Sequence, residues 1–553
     1  MFKRSHHDTR YRTAAGRRNF KDMGATLQTR VLIIGGGATG TAIARDLALR
    51  GVPSILVEKG DLNAGASGGN HGLLHSGGRY VSNDPEAARE CKLEGDIIKK
   101  LMPQCIEDTG GLFVAVRGDD ERFIADYPSY CERCGVPCRP ISPEEAQFLE
   151  PVLSENVIAA YHVEDASIDP FKLSLLNMSQ AISLGSTLFR HTQVTRFEMD
   201  GRRIGRVFVR GVETGEEYAI EAEQVINAAG AWADQICRMA GIEIPMTYSK
   251  GTLLITNDRI NYRIINRLRP PSDADILVPG GTVSIVGTTS VIVSNPDDVY
   301  PTVQETDLII REASVMVPVL EQVRYVRAFC GVRPLFGKAR ADKDAGGRGV
   351  SRGFALIDHA EHGAENLTTI TGGKLTTFRL MAEKTSDLVC RKLGVTAACV
   401  TQSQPLPDSE EGRWTEPGLS SKQWMRSHAS DDMMICECEM VAKSAIDEII
   451  ADLKHRRESV GMTEISMRTR MGRGACQGAF CGARAVAYLY ESGEYKGKEG
   501  ISQIGRFFQE RWKGIHSILW GDQLIQAELM ESIHCGLFDE ELFAEDGERG
   551  SSR

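Results

Sequence analysis

Val31-Leu-Ile-Ile-Gly35-Gly-Gly37-Ala-Thr-Gly40 decides the fold. The apolar start reads as a short buried strand. The glycines follow at once, and Thr41-Ala-Ile-Ala-Arg-Asp-Leu-Ala-Leu-Arg50 continues with helical spacing. Gly35 permits the tight turn, Gly37 lets backbone approach a pyrophosphate, and Gly40 lets the helix pack on the strand. A second strand, Ser54-Ile-Leu-Val, ends at Glu58, placed to accept hydrogen bonds from a ribose. A lone glycine fingerprint is weak evidence. Strand, turn, helix, strand and acid in sequence are strong evidence for a dinucleotide. The motif does not choose between NAD and FAD. Its place at the start of the fold, and the long discontinuous remainder, favour FAD.

Three later segments extend the cofactor reading. Asn227-Ala-Ala-Gly230-Ala-Trp-Ala-Asp234 closes a strand and turns into a helix, which suits a wall beside the dinucleotide. Asn70-His-Gly-Leu-Leu-His75-Ser-Gly-Gly-Arg79-Tyr80 follows Ser67 and Gly69 and is rich in glycine. Its backbone can lie close to a flat ring while His75, Arg79 and Tyr80 face a substrate. Thr371-Gly372-Gly373-Lys374-Leu375-Thr376-Thr-Phe-Arg379 follows a strand and opens a helix. Free amides there can stabilise negative charge at the pyrimidine end of a reduced flavin.

A second kind of chemistry lies near the C-terminus. Cys436 and Cys438 are separated by one residue, and Cys476 and Cys481 follow in a glycine-rich loop that enters a helix. Four thiolates can hold a [2Fe-2S] cluster. Zinc sites usually space the near pair by two to four residues, so Cys-Glu-Cys is tight for zinc. Ordinary buried thiols are the remaining alternative. Helix N-terminal amides, with Arg473 and Arg484 nearby in sequence, suit an anionic cluster. Cys131, Cys134 and Cys138 form another group, but no fourth ligand is evident and free cysteines are the simpler reading.

The chain has 553 residues, 42% hydrophobic and 25% charged, which fits several soluble domains. A net charge of −10 argues against nucleic acid as a partner. Fourteen cysteines in this length do not make a disulfide framework, and a reducing cytoplasm suits them. No apolar run is long enough for a membrane span, so membrane contact is expected to be peripheral or through another subunit. Residues 1–28 are basic and polar and read as a disordered extension. Arg17-Arg18 imitates a twin-arginine signal without the apolar stretch that should follow, and Met23 is an alternative start.

His75-Ser-Gly-Gly-Arg79-Tyr80, Gly331-Val-Arg333-Pro-Leu335, Ser351-Arg352-Gly-Phe354 and Gly372-Gly373-Lys374-Leu375-Thr376-Thr-Phe-Arg379 resemble the flavin-dependent glycerol-3-phosphate dehydrogenases. With the cysteine module behind them, they resemble the A subunits of the anaerobic, three-subunit type. The likeness runs from about residue 30 to about residue 540 and includes Asp275-Ile-Leu-Val-Pro-Gly, Val286-Gly-Thr-Thr-Ser and Glu510-Arg-Trp-Lys-Gly. It implies an α/β fold: a Rossmann-like FAD domain of glutathione-reductase or D-amino-acid-oxidase type, a mixed-sheet substrate cap and a small helical [2Fe-2S] domain. The expected ranges are 29–110, 155–240 and 325–400 for the FAD domain, and 111–154 and 241–324 for the cap. A linker at 402–425, the cluster domain at 430–490, a helical segment at 491–543 and a disordered tail at 544–553 complete the chain.

The resemblance further implies oxidation of sn-glycerol 3-phosphate to dihydroxyacetone phosphate. Electrons would leave through the cluster and partner subunits, one of them a membrane-anchoring iron–sulfur protein, to quinone. The chain would then sit in the cytoplasm against the inner membrane, and the wider complex has room for FMN. Arg333 and Arg352 are the expected phosphate ligands, because guanidinium suits phosphate. His75 is the first candidate proton acceptor and His359 the second. Lys374 is placed to polarise an alkoxide or stabilise reduced flavin. Lys250-Gly-Thr-Leu lacks the histidine that related single-chain enzymes carry nearby. The alternatives are an amine or amino-acid dehydrogenase with a similar four-cysteine module, and a non-enzymatic electron carrier or iron-handling protein.

Overall fold

The computed structural model describes residues 26–212, 214–337, 347, 350–407, 428–455, 460–512 and 514–538. Of the disordered extension expected over 1–28, residues 1–25, with the arginine pair and Met23, lie outside the described residues, as do most of the linker and the tail at 544–553, whereas residues 26–28 open the first strand, Thr26–Ile34.

The first sheet is built around Thr26–Ile34, flanked in parallel by Glu217–Asn227 and Ile55–Val57, with Thr187–Phe189 at one edge. Antiparallel strands Thr192–Asp200 and Arg203–Gly211 extend the other side, and Leu367–Gly372 joins Glu217–Asn227 in parallel. Val31, Ile33 and Leu56 are buried against helices Ala38–Leu49, Pro170–Ser183 and Phe378–Lys392. A parallel sheet covered by helices binds its ligand beyond the carboxyl ends of its strands. Here those ends are Ile34, Val57, Asn227 and Gly372. Asp169 caps Pro170–Ser183: its carboxylate accepts from the amides of Phe171 at 2.9 Å and Lys172 at 3.1 Å.

A nine-stranded mixed sheet forms the cap. Its order runs through Val291–Val293, Met246–Thr256, Val283–Gly287, Ile276–Gly280, Ile264–Arg267, Gly111–Val116, Val157–Val163 and Arg139–Ile141. Tyr325–Phe336 pairs along nearly the whole of Met246–Thr256. Two of these strands lie outside the ranges expected for the cap. Val157–Val163 and Tyr325–Phe336 hydrogen-bond into the cap sheet, although 155–240 and 325–400 were expected in the FAD domain. Their apolar patterns fit either sheet, and only long-range pairing assigns them.

The C-terminal part has its own core of Ile435, Ile446, Met462, Ile465, Leu489, Phe507 and Phe508. The short hairpin Met434–Cys436 with Val441–Ala442 meets helices Lys443–His455, Met462–Thr469, Cys481–Glu491 and Glu499–Trp512. Phe507 and Phe508 therefore carry this module beyond the expected limit of 490. Past Trp512 the chain returns to the cap. The Ala328 amide donates to the Gly514 carbonyl at 2.9 Å, and Ile518 enters the cap core. Among the described residues, no helix is long and apolar enough to cross a membrane.

Candidate active site

A cavity of about 1480 Å³ opens at the carboxyl ends of the first sheet and runs under the cap. Its floor is the glycine turn. Gly35 has φ +112°, and a Cβ there would stand 2.5 Å from the Ala228 carbonyl oxygen, so only glycine fits. Gly40 packs inward, where a Cβ would meet the Gly35 carbonyl at 2.0 Å; it does not line the cavity. Helix Ala38–Leu49 starts at Gly37 with no side-chain cap. Its first turn faces the cavity with Gly37 and Ala38, as an anion seat requires. Ser67 accepts from the Ala38 amide at 3.0 Å. Glu58 accepts from the amides of Gly36 at 2.7 Å and Gly60 at 2.8 Å, which fixes it at the cavity edge, and burial raises its pKa. Each carboxylate oxygen retains a lone pair for a ribose hydroxyl.

Gly69 and Gly331 clamp the cap onto this floor. A Cβ on Gly331 would lie 2.1 Å from the Gly69 carbonyl oxygen, so the two backbones touch. Gly230, Gly372, Gly373, Lys374 and Leu375 line the opposite wall. Thr376 is turned away from the cavity, and its hydroxyl accepts from the His75 amide at 3.1 Å.

His75, Arg79, Tyr80, Arg333, Arg352 and Lys374 converge on one end of the cavity. The His75 and Tyr80 rings meet edge-on at 5.3 Å, and the Lys374 ammonium stands 5.3 Å from the Tyr80 ring centre. Lys374 Nζ also donates to the Arg352 carbonyl at 3.0 Å. Arg333 is held by Ser249 Oγ at 3.3 Å, the Thr289 carbonyl at 3.1 Å and Thr288 Oγ1. Arg79 pairs with Asp275 at 3.0 Å, while its other terminal nitrogen, Nη1, is buried without a hydrogen-bond partner. Burial, then the charges of His71, Arg79 and Lys374, push the His75 pKa well below its ordinary value. His75 is therefore a neutral imidazole, able to accept a proton. Tyr80 is pushed up to about 12 by burial and stays a phenol.

His359 stands elsewhere. It is fully buried behind the first sheet, with Nε2 at 2.9 Å from Thr369 Oγ1 and 3.8 Å from Cys237 Sγ, and it does not line the cavity. His71 does line it. Its Nδ1 is buried without a partner, and burial with the charges of Arg333 and Arg79 lowers its pKa to about 3. The sequence signal for His71 was only its nearness to His75.

Cys436, Cys438, Cys476 and Cys481 come together in the C-terminal module. The Cys481 thiol is in hydrogen-bonding reach of Cys436 and Cys476, and Cys438 is in reach of Cys476. The Cys481 contact, helped by the amides of Phe480 and Gly478, lowers Cys476 to about 5. Among the described residues no group of three or more His, Cys, Asp or Glu is arranged to hold a metal ion. A two-iron cluster asks less of any one point, because each iron takes two thiolates. Four thiols are the donor type such a cluster takes. Arg484 is paired with Glu437 at 2.8 Å, and Arg473 turns away to stack 4.1 Å from the Phe171 ring centre. Cys131 and Cys138 touch each other, while Cys134 Sγ lies 3.8 Å from the Val81 carbonyl.

The chain matches the FAD dependent oxidoreductase (DAO) family over residues 30–379. It is 41% identical over 528 residues to the A subunit of the anaerobic glycerol-3-phosphate dehydrogenase of Escherichia coli K12, covering 92% of this chain and 96% of that one. Against the A1 subunit of the Haloferax volcanii enzyme the identity is 39%, covering 91% and 89%. A solved glycerol-3-phosphate dehydrogenase from Bacillus halodurans, complexed with FAD, superposes with a TM-score of 0.62 at 19% identity, covering 89% of this chain and 96% of that one.

Proposed function

We propose, from the premise that this chain belongs to the FAD dependent oxidoreductases and among them to the A subunits of anaerobic glycerol-3-phosphate dehydrogenases, that it oxidises sn-glycerol 3-phosphate to dihydroxyacetone phosphate with FAD. The observation that carries the substrate is the convergence of Arg79, Arg333, Arg352 and Lys374 around a neutral His75. Four cations suit a phosphate dianion, and an uncharged imidazole suits a hydroxyl proton.

FAD fits the cavity floor: the helix start at Gly37–Ala38, with Ser67 beside it, would hold its pyrophosphate, and Glu58 its ribose. When bound, the flavin supplies the hydride acceptor. Arg333 and Arg352 bind the substrate phosphate and fix which carbon faces the ring. His75 takes the hydroxyl proton as the alcohol becomes a ketone. Lys374 and Arg79 offset negative charge as it develops on the oxygen. Gly69 against Gly331 leaves no gap for water between floor and cap at that point.

Cys436, Cys438, Cys476 and Cys481 would hold a [2Fe-2S] cluster, a one-electron outlet for a two-electron reaction. Partner subunits, including a membrane-bound iron–sulfur protein, take these electrons to quinone, with the chain on the cytoplasmic face of the inner membrane. The relatives are designated A subunits, which supports a complex of several chains. Anaerobic titration of the purified protein tests the central reading. Glycerol 3-phosphate should bleach the flavin absorbance stoichiometrically, and glycerol should not. Equal bleaching by both would remove the phosphate site.

A further inference from the structure

Beyond the proposed substrate site, the same cavity reaches the seam between cap and cysteine module. Four guanidiniums stand there: Arg327 on the strand Tyr325–Phe336, Arg470 and Arg473 in the loop before Cys476, and Arg511 on the helix Glu499–Trp512. Arg327 pairs with Glu510 at 2.8 Å and Arg470 with Glu439 at 3.0 Å. Asp169 also faces the seam, but its carboxylate caps the helix Pro170–Ser183.

Arg473 and Arg511 have no ion pair among the described residues. Arg473 lies on the Phe171 ring, and Arg511 Nη1 makes a 3.4 Å contact with the Gly472 carbonyl. The Nε atoms of Arg327, Arg473 and Arg511 are buried without a hydrogen-bond partner. An unpaired cation that is half-buried, with its Nε shut off from water, is costly, and clustering several raises the cost, so this arrangement asks for an anion. Burial, and then the charges of the neighbouring arginines, depress both Arg473 and Arg511. The Phe171 ring stands next to both Arg473, 4.1 Å from its centre, and the turn at Gly68, where a Cβ would lie 3.0 Å from the ring.

We propose that Arg327, Arg470, Arg473 and Arg511 form a second anion-binding site, distinct from the substrate site, that takes a phosphate group. Arg473 and Arg511 offer two planar forks from separate elements. A phosphate, with at least three acceptor oxygens, can give each fork two hydrogen bonds, whereas a carboxylate has only two oxygens to share between them. The phosphate belongs either to the free ion or to a small ester.

Equilibrium dialysis of the flavin-loaded protein against inorganic phosphate tests this. Wild type should bind two phosphates per chain. Arg333→Gln should abolish one, and Arg473→Gln or Arg511→Gln should weaken the other at least tenfold. Arg473→Lys, which keeps the charge but loses the fork, should fall between. Displacement of the second phosphate by phenyl phosphate identifies an ester site, and its absence identifies a free-ion site. A single phosphate, lost in Arg333→Gln and untouched by Arg473→Gln and Arg511→Gln, overturns the proposal, with flavin content serving as the folding control. Should the glycerol 3-phosphate reading fail instead, Arg333→Gln would leave phosphate binding unchanged while the seam variants still reduced it.

Discussion

Two clusters of four cations line one cavity, and they are held in different ways. At the proposed substrate end, Arg333 donates to the Ser249 hydroxyl and the Thr289 carbonyl, and Lys374 to the Arg352 carbonyl, contacts that orient each charge toward the cavity. Arg79 there gives one edge to a carboxylate, Asp275. At the seam, two arginines are neutralised by Glu439 and Glu510, and two rest on an aromatic ring or a lone carbonyl. The first arrangement suits a ligand that comes and goes with each turnover. The second suits one that stays, because without it half-buried cations face each other.

The largest effect should come from breaking the cysteine end alone. Cys476→Ser should lose iron and sulfide, and electron delivery to quinone in the assembled complex should fall by orders of magnitude. Anaerobic bleaching of its flavin by glycerol 3-phosphate should persist, since hydride transfer needs only the floor and cap. Quinone reduction at the wild-type rate, or wild-type protein isolated with zinc and no iron, would end the cluster reading. The substrate end gives the next largest effect. Arg333→Ala removes charged hydrogen bonds worth about 2–4 kcal/mol, or roughly 30- to 1000-fold in kcat/KM for glycerol 3-phosphate. A loss of less than threefold would place the phosphate elsewhere.

The smallest effect concerns how the module is docked. His191, in the flavin half, lies 3.0 Å from Glu464 on the helix Met462–Thr469, and Arg190 bridges Glu464 to Asp61 at 3.1 and 2.7 Å. The hydrogen bond to Glu464 raises His191 above its ordinary value. Burial works against the Glu464 carboxylate, but His191 and Arg190 outweigh it and hold it at about 2. The histidine's contribution is complete below about pH 6.5 and is lost as pH rises through its raised folded value. That of Glu464 is complete above about pH 4.3 and is lost as pH falls toward 2. His191 has φ +49°, which asparagine tolerates, so His191→Asn should cost about 1–2 kcal/mol at pH 6 and less at pH 9. Melting temperatures of both proteins across that range check it, and a pH-independent difference would refute the sign.

Local chemistry was legible in the sequence. The strand, turn and helix at 31–50, Glu58, the Asp169 cap and the turn at 371–376 each declare themselves within a few residues. What depended on partners far along the chain was not. Val157–Val163 and Tyr325–Phe336 read as strands, but their sheet was set by pairings such as Thr247 with Leu335. His359 follows a plausible strand yet points to Thr369 and Cys237, because the alternation of that strand and not its neighbourhood in sequence decides which face it takes. Arg473 precedes a cysteine loop and still serves another surface, since Phe171 offers its ring across the seam.

The return of the chain from Trp512 to the cap bears on how this protein can be divided. Gly514 accepts from Ala328, where a Cβ on Gly514 would fall 1.7 Å from the Ala328 carbonyl oxygen. Thr306 Oγ1 donates to the Ser517 carbonyl at 2.9 Å, and Ile518 fills part of the cap core. The C-terminal part of the chain is thus a splint as well as an appendage. A piece ending before residue 408 would keep every group assigned to alcohol oxidation, yet it would lack Ile518 from its core and leave the Ala328 amide without its acceptor. The oxidising half and the proposed electron outlet are joined as a dovetail, through the strand Tyr325–Phe336 that also carries Gly331 and Arg333.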